Sequence, residues 1–214
     1  MRSGVRNCKA AAPVLKYGLL DIIRRLGVHR EVEELKVGIG AFWLYPQHHY
    51  HNEVEELKVG IGEWKIARPP QRLITLGLGS CVGIAFFDTR TSLGGLAHIM
   101  LPDSRQFQEI TNRAKYADLA IPDMLEAMLK QGARRSSLVA KIAGGAQMFA
   151  SADRRLLNLN IGQRNVEATV GVLKELGIPL LAQDTGGNYG RTMILDTGSG
   201  KVYIRAIGRP LKEI

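Results

Sequence analysis

Between Leu73 and Pro102 the chain carries three apolar runs joined by a glycine-rich corner and a turn, and few folds admit that order. Leu73-Ile74-Thr75-Leu76-Gly77-Leu78 and Val82-Gly83-Ile84-Ala85-Phe86-Phe87 meet at Gly79-Ser80-Cys81. Gly94 to Leu101 follows after the turn-like Asp88-Thr89-Arg90-Thr91-Ser92. Runs this short, bounded by turn formers, read as strands. The last two then form a hairpin. Pairing Phe87 with Gly94 sets Gly83 opposite His98, and Cys81, two residues along, falls on the histidine's face. A slip of one residue would separate them.

The rest of the chain from Leu57 onward fits an α+β domain. Lys115 to Lys130 has helical spacing through Tyr116, Leu119, Ala120, Met124, Leu125, Met128 and Leu129, with Pro122 tolerable only near the first turns. Leu138 to Ala143 reads as a strand ending at Gly144-Gly145. A second helix is expected from about Gln163 to Leu176, capped by Asn160, closed by Gly177 and burying Val166, Val170 and Leu173. Leu180 to Asp184, Thr192 to Asp196 and Val202 to Ile207 read as strands. Strands cluster and helices number two, so the expected class is α+β: a mixed, largely antiparallel sheet or sheets with two main helices packed on one side.

Residues 1 to 52 read as an N-terminal extension, and residues 53 to 214 as the domain. Pro13 to Leu26 has the spacing of an amphipathic helix. Glu31 to Gly40 recurs letter for letter as Glu53 to Gly62, and two copies are too few for a solenoid. The second copy runs straight into Trp64 and the core, which places the domain start near Glu53. His48, His49 and His51 sit together before it, on a stretch that reads as loop and is weak evidence for a metal site.

Composition bounds the function. The formal net charge is +9, but Arg24-Arg25, Arg134-Arg135 and Arg154-Arg155 are isolated pairs without interleaved aromatics, so nucleic acid is not an expected partner. No apolar run approaches the roughly 20 residues of a membrane span, and Lys16 and Asp21 interrupt the N-terminal apolar stretch, so no signal peptide is expected. Two cysteines, Cys8 and Cys81, make no disulfide framework, and a reducing, cytoplasmic setting is expected. No metal-ligand spacing or phosphate-binding glycine loop appears, so neither metal nor cofactor is expected.

Within residues 53 to 214, Cys81 is the only cysteine and His98 the only histidine. Each alone reads as readily as core filling. Together on one face they suit thiol chemistry: an imidazole takes the proton of a weakly ionised thiol and passes it to a leaving group. A third polar group usually orients the imidazole, and Thr75 and Ser80 are the nearby hydroxyls. Gly77 and Gly79 would let main-chain amides approach a reacting carbonyl, forming an oxyanion site with the Cys81 amide. Gly79-Ser80-Cys81-Val82-Gly83 matches a nucleophile-elbow pattern, but the residues after it read as a strand, so an α/β-hydrolase is not expected.

Several segments together resemble the chemoreceptor glutamine deamidase family of bacterial chemotaxis, CheD. They are Val59-Gly60-Ile61-Gly62-Glu63, Thr75 to Cys81, Gly95 to Pro102, Lys141 to Ala146, Asn160 to Glu167 and Asp184 to Asn188, in the family's order. The resemblance implies hydrolysis of glutamine side chains on methyl-accepting receptors to glutamate and ammonia, with Cys81 as nucleophile, His98 as base and Thr75 at the third active-site position. It also implies a CheC-type phosphatase as partner. Two alternatives accompany it: methyl-ester hydrolysis at the same thiol, and a mainly non-catalytic role as regulator of that phosphatase. Residues 1 to 52 match nothing in the family.

Overall fold

The computed structural model describes residues 54–147 and 160–214. The expected Pro13 to Leu26 helix, the first repeat copy, the histidine cluster and the boundary at Glu53 lie outside the described residues. Ten strands and two α-helices occur among the described residues: β1 Glu56–Val59, β2 Glu63–Ala67, β3 Arg72–Leu78, β4 Val82–Asp88, β5 Gly94–Ile99, α1 Ala117–Lys130, β6 Leu138–Gly144, α2 Ile161–Glu175, β7 Leu180–Thr185, β8 Arg191–Asp196, β9 Lys201–Arg205 and β10 Lys212–Glu213. The class is α+β as expected, with two sheets.

One sheet has the order β1-β3-β8-β9-β10 and the other β2-β5-β4-β6-β7. β1 pairs with β3, and β6 with β7, in parallel; the other pairs are antiparallel. The expected hairpin register is present, with Phe87 opposite Gly94 and Gly83 opposite His98.

Side-chain alternation along β4 builds the layers. Ile84 and Phe86 point to a core shared with α1 and α2, while Ala85 points to Leu73, Leu78, Leu96, Met193 and Leu195 between the sheets. Each fully buried leucine there contributes about 1.5–3 kcal/mol relative to exposure. The sheets come closest at Gly83, where a Cβ would lie 2.9 Å from Leu78 Cδ1 and from Met193 Sδ. A bulge between Thr75 and Leu78 is turned by Gly77 at φ +71°, and it leaves Leu76 outside while returning Leu78 to the core.

Pro122 sits in the second turn of α1, near the helix start as expected; its missing N–H removes the helical bond to the Asp118 carbonyl, and burial of Ala120, Ile121, Met124, Leu125 and Met128 holds the helix across that gap. One local expectation needs correction. In α2 Val170 is exposed, and the buried stripe is Gly162, Asn165, Thr169 and Leu173. Asn160 caps α2 as expected, its Oδ1 accepting from the Gln163 amide at 3.1 Å.

Candidate functional site

Thr75 and His98 reach the site from different sheets. Val59 pairs with Thr75 on β1 and β3, and His98 on β5 lies between Glu63 of β2 and Gly83 of β4. Both side chains are fully buried between the sheets. The Thr75 hydroxyl donates to the Val59 carbonyl at 2.8 Å and lies 2.7 Å from His98 Nδ1. A hydroxyl has one proton, and Val59 takes it, so Thr75 Oγ1 accepts from Nδ1–H. That bond assigns the tautomer: Nε2 carries the lone pair. Nε2 is buried and has no hydrogen-bond partner among the described residues. Burial pushes the imidazole pKa down to about 4, so the ring is neutral near pH 7.

Cys81 precedes β4 at the corner from β3 and is half-buried. It shares the face of Gly83, which offers no side chain between the thiol and the imidazole. Diagonal neighbours on such a face have Cα atoms about 7–8 Å apart, within reach of an imidazole. Burial pushes the Cys81 thiol up, and its own main-chain amide, directed at the sulfur, works against that. The resting pair is therefore neutral thiol and neutral imidazole.

The corner is braced through three successive carbonyls. Gly79 accepts from the Ala146 amide at 2.7 Å, Ser80 from Asn165 Nδ2 at 2.9 Å and Cys81 from the Gly145 amide at 2.8 Å. In a planar trans peptide the N–H points opposite the C=O, so the Ser80 and Cys81 amides face away from these braces. The Gly79 amide donates to the Gly77 carbonyl at 2.9 Å and is committed there. Of the two hydroxyls weighed from sequence, Thr75 holds the imidazole; Ser80 bonds neither ring nitrogen.

Backbone proximity explains the glycines behind the corner. A Cβ on Gly144, at φ +113°, would strike the Cys81 carbonyl, and one on Gly162 would lie 2.6 Å from the Gly145 oxygen. This approach brings α2 onto the strand end and drives Asn165 inward. Asn165 is fully buried, and its second Nδ2 proton goes to the Met100 carbonyl at 3.0 Å. One amide thus ties the residue before Cys81 to a residue two past His98. Sequence reasoning assigned Asn165 no role, although it stands inside the quoted Asn160 to Glu167 segment.

Asp184 was likewise quoted without a role. On β7 it accepts from Arg191 Nε of β8 at 2.6 Å and from Lys212 Nζ of β10 at 2.7 Å. Burial opposes its ionisation, but the hydrogen bonds and charges of Lys212 and Arg191 outweigh burial and lower its pKa. The glycines beyond it continue the brace: the Gly186 amide donates to the Gly144 carbonyl, and Gly187 accepts from Gln147. No helix among the described residues is long and apolar enough to cross a membrane.

Residues 100–206, a span beginning just after His98, match the family model described as CheD chemotactic sensory transduction. A protein of Moorella thermoacetica named probable chemoreceptor glutamine deamidase CheD is 67% identical over 152 residues, covering 71% of this chain and 91% of that protein. A Clostridium botulinum protein of the same name is 56% identical over 149 residues, covering 70% and 91%. Among solved structures, the hypothetical protein YfiH of Bacillus licheniformis overlaps 57% of this chain and 49% of its own, at TM-score 0.38 and 18% identity. At such identity over nearly the whole length of its relatives, the chain belongs to the CheD family.

Proposed function

We propose that this protein is a chemoreceptor glutamine deamidase that works through Cys81, His98 and Thr75. The observation that carries the reading is the Thr75 to His98 bond, which leaves Nε2 as an unpartnered base on the face it shares with Cys81.

Because thiol and imidazole rest neutral, proton transfer accompanies attack. Nε2 takes the Cys81 proton as sulfur bonds to the glutamine carboxamide carbon, and the carbonyl electrons move onto oxygen. The Ser80 and Cys81 amides, turned away from the carbonyl braces, are the donors offered to that oxyanion. Collapse breaks the C–N bond, and the imidazolium returns its proton to the leaving nitrogen, which departs as ammonia. Water then attacks the thioester, giving up a proton to Nε2, and glutamate and free thiol are released. Glutamine side chain plus water becomes glutamate plus ammonia, with no cofactor.

The same reading includes a CheC-type phosphatase as a binding partner and a cytoplasmic setting that keeps the Cys81 thiol reduced. The test compares wild type with Cys81→Ala on a receptor cytoplasmic fragment, reading the gain of about one dalton per converted glutamine by mass spectrometry. Loss of the shift in the variant is expected. Equal shifts in both would end the thiol mechanism.

A further inference from the structure

Strand pairing lays one row of residues across each sheet at the level of His98. In one sheet His98 of β5, Gly83 of β4, Ala143 of β6 and Asp184 of β7 are successive partners. In the other, Thr75 of β3, Met193 of β8, Ile204 of β9 and Lys212 of β10 are successive partners. Direct partners share a face of their sheet, so each row presents its side chains together. The rows meet strand by strand. Thr75 Oγ1 lies 2.7 Å from His98 Nδ1, and a Cβ on Gly83 would lie 2.9 Å from Met193 Sδ. Ala143 and Ile204 belong to the same buried cluster, and Lys212 Nζ donates to Asp184 Oδ2 at 2.7 Å. The frame thus has a polar contact at each end and apolar contacts between. Arg191, also on β8, adds a second bond at the Asp184 end, from Nε to Oδ1 at 2.6 Å. Lys141 of β6 ties the same edge by donating to the Ile214 carbonyl at 2.6 Å.

We propose that Asp184 is a positioning residue for His98, acting through this frame from three strand spacings away, about 14 Å. The inference rests on the reading of His98 as the base that serves Cys81. The middle of the frame does not set the sideways offset between the rows. Contact among glycine, alanine, methionine and isoleucine has no preferred direction, and a thioether adapts to the gap it finds. Hydrogen bonds do have direction, so the offset is set at the ends. Between Thr75 and His98 there is one neutral bond. On Asp184 two cations from separate strands of the opposite sheet converge, and charge-assisted bonds are shorter and about twice as strong. The Asp184 end is therefore the stiffer one, and His98 meets Thr75 at the offset it dictates. Stability alone does not account for the arrangement. Arg191 and Asp184 are buried, and a buried ion pair gains little over apolar packing of the same volume, because both charges are stripped of water. What it supplies is direction. The Tyr189 ring, 4.0 Å from the Arg191 guanidinium, holds that group against the carboxylate.

The experiment uses the full chain with Asp184→Asn and Lys212→Gln, and with Asp88→Asn as the control. Asp88 braces the turns at the other end of the sandwich, accepting from the Arg90 and Arg134 amides and from Ser137 Oγ, so its loss loosens the fold without touching the frame. Deamidation of a receptor cytoplasmic fragment gives kcat and KM. Ring-nitrogen NMR on Cys81→Ala protein carrying the same changes reads the His98 tautomer, the signal being assigned by its loss in His98→Gln. Asp184→Asn should lower kcat on the order of 10²-fold and Lys212→Gln on the order of tenfold, with KM unchanged. The His98 signal should move in the same order from the position of one tautomer toward the average of two, and Asp88→Asn should leave it in place. Should Asp184→Asn fail to fold, Lys212→Gln decides alone, since Lys212 is exposed. A wild-type His98 signal in the folded variants, or an equal shift in Asp88→Asn, would overturn the assignment. A shifted signal with wild-type kcat would uphold the anchor and end the reading of His98 as the base.

Discussion

Replacing Thr75 by valine isolates the bond that sets the base. Valine keeps the volume and shape but removes the hydroxyl, so His98 Nδ1–H and the Val59 carbonyl each lose a partner inside the sandwich. A buried polar group left without a partner costs about 1–3 kcal/mol, so Thr75→Val should lower folding stability by about 2–4 kcal/mol. The imidazole also loses what fixed its tautomer, and part of the population then carries its proton on Nε2, unable to accept one from Cys81. General-base catalysis is worth about 10²–10⁴ in rate, so a fall of about 10² in kcat is expected, with KM little changed. Thr75→Ser keeps the hydroxyl and loses one methyl, so it should cost about 1 kcal/mol and keep kcat within a few-fold. Urea unfolding gives stability, and mass-shift kinetics on a receptor fragment give the rate. A valine variant with near-native kcat, or a serine variant as inactive as valine, would refute the orienting role.

Asn165→Leu keeps the bulk of the side chain but releases the Ser80 and Met100 carbonyls, and a loss of about 10-fold in kcat with slower iodoacetamide labelling is expected, whereas Asn165→Gln should not restore either because its extra methylene overfills the site. The acid limb of activity should lie near pH 4, where the buried imidazole takes a proton, and a limb near the usual histidine value of 6.5 would contradict the burial described. Stability carries the same signature. The folded pKa is depressed, so between about pH 6.5 and 4 the unfolded chain binds more protons; urea midpoints should be highest above that window, fall as pH drops through it, and lose that fall in His98→Gln.

The strands around Cys81 were legible because their apolar runs are short and sharply bounded, and the hairpin register followed from one turn. That register was enough to put Cys81 and His98 on one face. From spacing alone Thr75 was one of two hydroxyls, and only the family resemblance singled it out; choosing it on physical grounds required knowing that β3 lies in the opposite sheet, above β5. The two-sheet layering was hidden for a related reason. Glu56-Leu57-Lys58-Val59 and Glu63-Trp64-Lys65-Ile66-Ala67 do alternate, but nothing local says that one joins β3 and the other β5. Apolar periodicity misread α2 because its inner face is chosen by close approach at Gly162 and by Asn165, whose partners lie 85 and 65 residues away. Val170 then turns outward.

The Thr75 to His98 contact crosses from one sheet to the other, and so do the bonds from Arg191 and Lys212 to Asp184. The tautomer of the proposed base is thus a property of the gap between two layers, not of either layer alone. A small shear of one sheet over the other would leave every strand intact yet unseat the imidazole's proton. Activity therefore reports the alignment of the sandwich, and a ligand gripping both sheets could tune it without touching the thiol.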